Sequence, residues 1–175
     1  MLSGHIQGRV LAMLSKMVNP LRILELGTFT GYSALCLAEG LQPNGELDTI
    51  EINDELEDII RQNIQSEQRI CLHIGDALDM LKNTMADNKY DLVFIDADKR
   101  HYVEYYEAVF NLVPQGGWIL ADNTLWDGHI IDPSYDHDNQ TLGLRAFNDY
   151  IMNDHRVEKV ILPLRDGLTI IRKKI

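Results

Sequence analysis

Glu25, Glu51, Asp76, Asp96 and Asp122 each stand at or just past the end of a short apolar run, and Lys99 and Asn123 come shortly after two of them. Carboxylates at successive strand ends of an open parallel sheet converge on the crevice where such sheets bind their ligands. What they can do there is accept hydrogen bonds and coordinate hard cations; they repel phosphate. After the first run the chain reads Glu25-Leu26-Gly27-Thr28-Phe29-Thr30-Gly31-Tyr32-Ser33. Gly27 and Gly31 permit a tight turn, but the spacing is not Gly-x-Gly-x-x-Gly, so a dinucleotide pyrophosphate is disfavoured. Glu51 falls where an acid in this architecture accepts from both ribose hydroxyls, which implies an adenosine-bearing ligand without phosphates. Asp76, or a backbone amide of Gly75-Asp76-Ala77, could meet the adenine; each acid taken alone could also be a helix cap or a surface charge.

Asp96, Asp122 and Asn123, if carried on neighbouring strands, offer three hard oxygen donors suited to Mg²⁺ with positions left open. The alternative is that Asp96 caps the following helix and Asp122-Asn123 opens a turn. Lys99 could neutralise a developing anion or accept a proton, or be an ordinary surface lysine. Ser33 is not in a Gly-x-Ser-x-Gly elbow, and the six histidines are too scattered for a zinc motif.

These residues need elements to position them. A helix from Ile6 carries Ile6, Val10, Leu11, Leu14, Met17 and Val18 at helical spacing and stops at Asn19-Pro20. A strand at 22–26 comes next. Then come a helix near 31–40, strand 46–51, helix 54–66, strand 69–74, helix 77–86, strand 90–95, helix 101–112 and strand 117–121. Such alternation predicts an α/β fold with a mostly parallel sheet and helices on both faces. After a polar loop from Asp122 to Gln140 and a helix at 142–153, Val157–Leu162 and Leu168–Arg172 form a hairpin, so the sheet should end with an antiparallel strand. The Asp127–Gln140 stretch is long enough for function, or is a solvated surface loop.

The 175 residues, 45% hydrophobic and 25% charged, suit one domain spanning 1–175. Sixteen basic against 27 acidic residues leave a net charge of −11, which disfavours nucleic acid and anionic lipid as partners. Cys36 and Cys71 fall in stretches that read as buried helix and strand, without disulfide or metal spacing. With no apolar run long enough to span a bilayer and no signal-like amino end, a cytoplasmic protein is expected.

Four segments together resemble the metal-dependent class I O-methyltransferases, the family of catechol and caffeoyl-coenzyme A O-methyltransferases and their bacterial relatives. They are Leu24 to Ser33, Val93-Phe94-Ile95-Asp96-Ala97-Asp98-Lys99, Ala121-Asp122-Asn123-Thr124-Leu125-Trp126 and Leu162-Pro163-Leu164-Arg165-Asp166-Gly167-Leu168-Thr169. The resemblance implies a Rossmann-like seven-stranded sheet, S-adenosylmethionine as methyl donor, Mg²⁺ or Mn²⁺, and a homodimer. It places Glu25, Gly27, Thr28, Ser33, Glu51, Ala77 and Asp96 at the cofactor, with Asp96, Asp122 and Asn123 on the metal. Lys99 matches the lysine that assists deprotonation of a hydroxylated aromatic acceptor, and Trp126 either lines the acceptor's mouth or packs in the core. Hydroxylated uridine of transfer RNA is an alternative acceptor, met by a basic patch of Arg165, Arg172, Lys173 and Lys174; a second alternative function is a cofactor-binding domain without acceptor turnover. Met1 to Gly8 resembles an internal family segment, Met-x-Ser-x-x-x-Gln-Gly, that ordinarily comes after further helices. The expectation is that residues upstream form one or two helices over the acceptor.

Overall fold

The computed structural model describes residues 4–175. Met1, Leu2 and Ser3, which open the Met-x-Ser-x-x-x-Gln-Gly segment, lie outside the described residues. The strands are β1 (Arg22–Leu26), β2 (Glu46–Glu51), β3 (Ile70–Ile74), β4 (Leu92–Ile95), β5 (Trp118–Asp122), β6 (Val157–Leu162) and β7 (Leu168–Lys173). They form one sheet in the order β3-β2-β1-β4-β5-β7-β6. The first five are parallel, and β7 runs antiparallel to both β5 and β6. The expected hairpin is therefore present, but the antiparallel strand is not the rim. β6 forms the outer edge, and β7 returns into the gap beside β5.

The helices are α1 (His5–Val18), α2 (Tyr32–Ala38), α3 (Glu57–Ile64), α4 (Ala77–Lys82), α5 (Tyr102–Phe110) and α6 (Asn139–Asn153). Alternation along each strand sends side chains to opposite faces. Leu24, Leu26 and Ile95 pack with Leu81, Tyr102, Tyr106 and Phe147 under α4, α5 and α6. Ile23, Leu47 and Phe94 pack with Leu11, Leu37 and Ile60 under α1, α2 and α3. The central strands are buried on both sides, which is why β4 reads as an unbroken apolar run.

Several boundaries differ from expectation. The helix expected over 54–66 begins as a 3₁₀ turn, Asp54–Leu56, before α3. The helix expected over 77–86 ends at Lys82, because the Met85 amide reaches back to the Met80 carbonyl and tucks Met85 into the core. Asp98 caps a 3₁₀ turn, Lys99–His101, ahead of α5, and Asp138 caps α6 by accepting from Thr141, starting that helix three residues early. The polar loop folds into two 3₁₀ segments, Trp126–Ile131 and Pro133–Tyr135. Cys71 is exposed on the rim strand β3, and only Cys36 is buried.

α1 buries Leu11 and packs Val10, Leu14 and Val18 against the core, as its apolar spacing suggests, but turns Ile6 and Met17 outward. Gln7, Gly8, Leu11, Ala12 and Ser15 are buried, whereas Ile6, Met13 and Met17 are 69%, 60% and 76% exposed. The helix lies so close to α2 that a Cβ on Gly8 would come within 2.7 Å of the Tyr32 ring and 2.9 Å of the Cys36 sulfur. Where α1 approaches α2 most closely the position must be glycine, because a larger side chain has no room.

Candidate functional site

The strand order reverses between β1 and β4, and beyond their carboxyl ends a cleft of about 500 Å³ opens. Gly27, Thr28, Ser33, Glu51, Ala77 and Asp96 all line it. The turn that forms its floor depends on Gly27. Its φ is +95°, and an added Cβ would lie 2.1 Å from the Asp96 carbonyl oxygen, so the β1 and β4 loops touch backbone to backbone.

Glu51 is held by two backbone amides: Phe29 N–H donates to Oε2 at 2.8 Å and Asn53 N–H to Oε1 at 2.9 Å. Phe29 takes a left-handed φ of +52° to make its bond. The carboxylate is thereby fixed while each oxygen keeps a lone pair for another donor. Asp76 caps α4 by accepting from Asp79 N–H and also borders the cleft, so its capping and lining roles coexist.

Glu25 is placed differently from expectation. It shares the inward face with Ile23, is fully buried, and does not reach the cleft wall. Thr49 donates to its Oε2 at 2.5 Å, so Thr49 must accept from Thr28, whose hydroxyl oxygen lies 2.6 Å away. Among the described residues Oε1 has no hydrogen-bond partner. Burial pushes the Glu25 carboxyl up to about 7, opposed by the hydroxyls of Ser33 and Thr49 and reinforced by the charges of Asp96 and Glu51.

Lys99 is not a surface lysine: it is 7% exposed, and its Nζ donates to Asp96 Oδ1 at 2.6 Å while lying 5.1 Å from the Tyr102 ring centre. The helix-cap role open to Asp96 goes to Asp98, which accepts from Arg100 N–H. Asp122 is 3% exposed; Gln7 Nε2 donates to Oδ2 at 2.5 Å and Asn123 N–H to Oδ1 at 2.9 Å. Burial, then the nearby charge of Asp96, raises the Asp122 carboxyl to about 6. Asn123 is buried at a left-handed φ of +59°. Asp96 and Asp122 are thus two carboxylates in each other's field, with Asn123 following Asp122 directly in the chain.

That donor set fits a hard divalent cation. Among the described residues no cluster of three or more His, Cys, Asp or Glu is assembled as a metal site, so a cation here would draw on two carboxylates and the Asn123 amide oxygen. This is oxygen chemistry, of the kind Mg²⁺ and Mn²⁺ accept.

Trp126 is half-buried against the α4–α6 core and meets His129 edge-on at 6.4 Å. The anticipated basic patch does not gather. Arg165 and Lys173 are separated by the length of β7, ~17 Å at ~3.3 Å per residue. Arg172 pairs with Glu158, Lys173 donates to the Phe110 and Val113 carbonyls, and Lys174 to that of His155.

Sequence reasoning missed Arg100, His101 and Tyr105, which border the cleft beside Asp98. Their proximity to the end of β4 was the available signal. It also missed Gln7, whose partner lies 115 residues away.

A family model described as O-methyltransferase matches residues 1–174. The caffeoyl-CoA O-methyltransferase of Stellaria longipes is 32% identical over 182 residues, covering 98% of this chain and 76% of its own. Caffeoyl-CoA O-methyltransferase 1 of Arabidopsis thaliana is 34% identical over 181 residues, covering 95% and 69%. Among solved structures, the O-methyltransferase from Bacillus cereus in complex with SAH superposes with a TM-score of 0.92 at 32% identity over 99% of this chain and 83% of that one. The O-methyltransferase TomG from Streptomyces achromogenes, in complex with SAM, gives 0.90 at 29% identity over 99% and 82%.

Proposed function

The chain belongs to the O-methyltransferase family and is an S-adenosylmethionine-dependent O-methyltransferase of the caffeoyl-CoA O-methyltransferase type; from that premise we propose that it methylates a catechol-like or otherwise hydroxylated aromatic small molecule with a divalent metal at Asp96, Asp122 and Asn123. The observation that carries the metal and acceptor reading is the buried meeting of Asp96, Lys99 and Asp122 beside the cleft. The cleft's carboxylates suit a cationic sulfonium ligand and disfavour a phosphate-bearing one.

Glu51, already oriented by Phe29 and Asn53, receives the ribose hydroxyls. Gly27, Thr28, Ser33 and Ala77 shape the wall, and Asp96 borders both the donor and the metal. Glu25 acts from behind that wall, through Thr49 and Thr28. A bound divalent cation supplies charge that lowers the pKa of a coordinating hydroxyl and fixes two vicinal oxygens. Lys99, its ammonium held by Asp96, would balance the negative charge that develops on the acceptor's oxygen, and the buried surroundings of Asp122 and Tyr102 strengthen that interaction by keeping water out. The transfer RNA alternative is weakened by the dispersal of Arg165, Arg172, Lys173 and Lys174 on internal partners. A cytoplasmic setting is supported by the two free cysteines.

Turnover on a catechol should vanish with chelator and return with Mg²⁺ or Mn²⁺. Asp122→Ala should abolish turnover while leaving S-adenosylhomocysteine affinity nearly intact, and Lys99→Ala should lower kcat. Full activity in chelator overturns the metal reading, and methylation of transfer RNA in place of any catechol overturns the acceptor reading.

A further inference from the structure

Gln7 is a polar side chain at 1% exposure on the core face of α1, and both ends of its amide are used. Its Nε2 donates to Asp122 Oδ2 at 2.5 Å, and its Oε1 accepts from Arg165 Nη1 at 3.2 Å. An amide is nearly symmetric in shape, so a buried glutamine can present either its oxygen or its NH₂ to a neighbour. A carboxylate requires the NH₂. Arg165 has only donors, so it can be met only by the oxygen, and the NH₂ is left facing Asp122.

Arg165 is itself set by the turn between β6 and β7, where it takes a φ of +51°. The same turn carries the loop after Asn123: Thr124 N–H donates to the Gly167 carbonyl, and the amides of Leu125 and Trp126 donate to that of Asp166. Asn123 N–H occupies one side of Asp122 Oδ1 and Gln7 one side of Oδ2, so the carboxylate cannot rotate without breaking both bonds. One lone pair on each oxygen remains free for a cation.

We propose that Gln7 is a positioning residue that fixes the Asp122 carboxylate for cation binding, and that Arg165 acts through it by setting the orientation of its amide. This rests on the proposed metal site at Asp96, Asp122 and Asn123. Residues that orient a metal ligand without touching the metal typically contribute ~10–100-fold to affinity.

The test uses the full chain, with Mn²⁺ binding measured by electron paramagnetic resonance and S-adenosylhomocysteine binding by calorimetry. Gln7→Met should weaken Mn²⁺ ~10–100-fold and leave S-adenosylhomocysteine affinity unchanged, a split that general destabilisation does not produce. Arg165→Met, an exposed substitution, should weaken Mn²⁺ in the same direction by less. The double variant should be no weaker than Gln7→Met alone, because both act on one amide. Wild-type Mn²⁺ affinity in Gln7→Met, when Asp122→Ala has lost it, overturns the inference and spares the metal reading. A wild-type chain that binds no Mn²⁺ overturns both. If Gln7→Met fails to bind S-adenosylhomocysteine, Arg165→Met decides: unchanged Mn²⁺ affinity overturns the role of the pair.

Discussion

At the scale of single residues, the cleft is organised by carboxylates whose partners differ in kind. Glu51 is held by backbone amides, so its geometry survives without a ligand, and its loss should be felt mainly in binding. Glu51→Ala should weaken S-adenosylhomocysteine by ~1–3 kcal/mol in calorimetry, the worth of charged hydrogen bonds; unchanged affinity would remove Glu51 from the donor site. Glu25 should instead show itself in stability. Its carboxyl is raised from 4.5 to about 7, so as pH climbs from ~4.5 the unfolded chain loses a proton that the native one keeps. The native state is therefore favoured at low pH and loses ground until about pH 7. Relative to wild type, Glu25→Gln should gain stability progressively across that window, by at most ~3 kcal/mol at ~1.4 kcal/mol per unit, in urea melts at several pH values. A difference that is flat with pH would contradict it. The strand-end acids were legible because a parallel sheet gathers the ends of its apolar runs at one edge, where Glu51, Asp96 and Asp122 stand. Gln7 was not, since nothing local announces a partner across the fold, and neither was the left-handed φ of Phe29.

At the scale of elements, α6 governs the segment after Asn123. Arg145 donates to the carbonyls of His129, Ile130 and Asp132 and to the Asp136 carboxylate, while Asn148 donates to the Thr124 carbonyl. One side chain thus gathers the two 3₁₀ segments. The Asp136 pair is half-exposed and adds little, so the carbonyl bonds matter most. Arg145→Ala should cost ~1–3 kcal/mol and make the 126–138 stretch the first site of limited proteolysis, with acceptor turnover falling and donor affinity kept. Cleavage elsewhere first would argue against that dependence. The alternation of strands and helices could be read from the sequence because each run is short, apolar and punctuated. The outward turn of Ile6 and Met17 could not, because close approach to α2 gives part of the inward face of α1 to Gln7 and Gly8 while Leu11 stays buried. The Asp138 cap, by contrast, was a local signal that reading the loop as uniformly polar passed over.

At the scale of the whole molecule, no helix of the described residues is long and apolar enough to cross a membrane. The homodimer remains our proposal, supported by the exposed Ile6, Met13 and Met17 along α1. Sedimentation equilibrium should return twice the chain mass, and a concentration-independent single-chain mass would reject it. Net charge was legible but blunt: it disfavours polyanions as a whole-chain average, whereas the dispersal of the carboxy-terminal cations depends on pairings that composition does not contain.

The position of β7 has a bearing on how the enzyme is made. A chain emerging from the ribosome delivers β1 to β5 first, so the cleft wall around Gly27 and Glu51, our proposed donor site, can assemble early. Among the described residues β6 pairs only with β7, and β5 has its outer edge bare until β7 arrives. The turn that supports Thr124, Leu125 and Trp126 comes with that same pair of strands. Nascent chains should therefore acquire a methyl-donor cradle before they acquire a place to put the methyl group, and the interval between the two is when the naked edge of β5 most needs a chaperone.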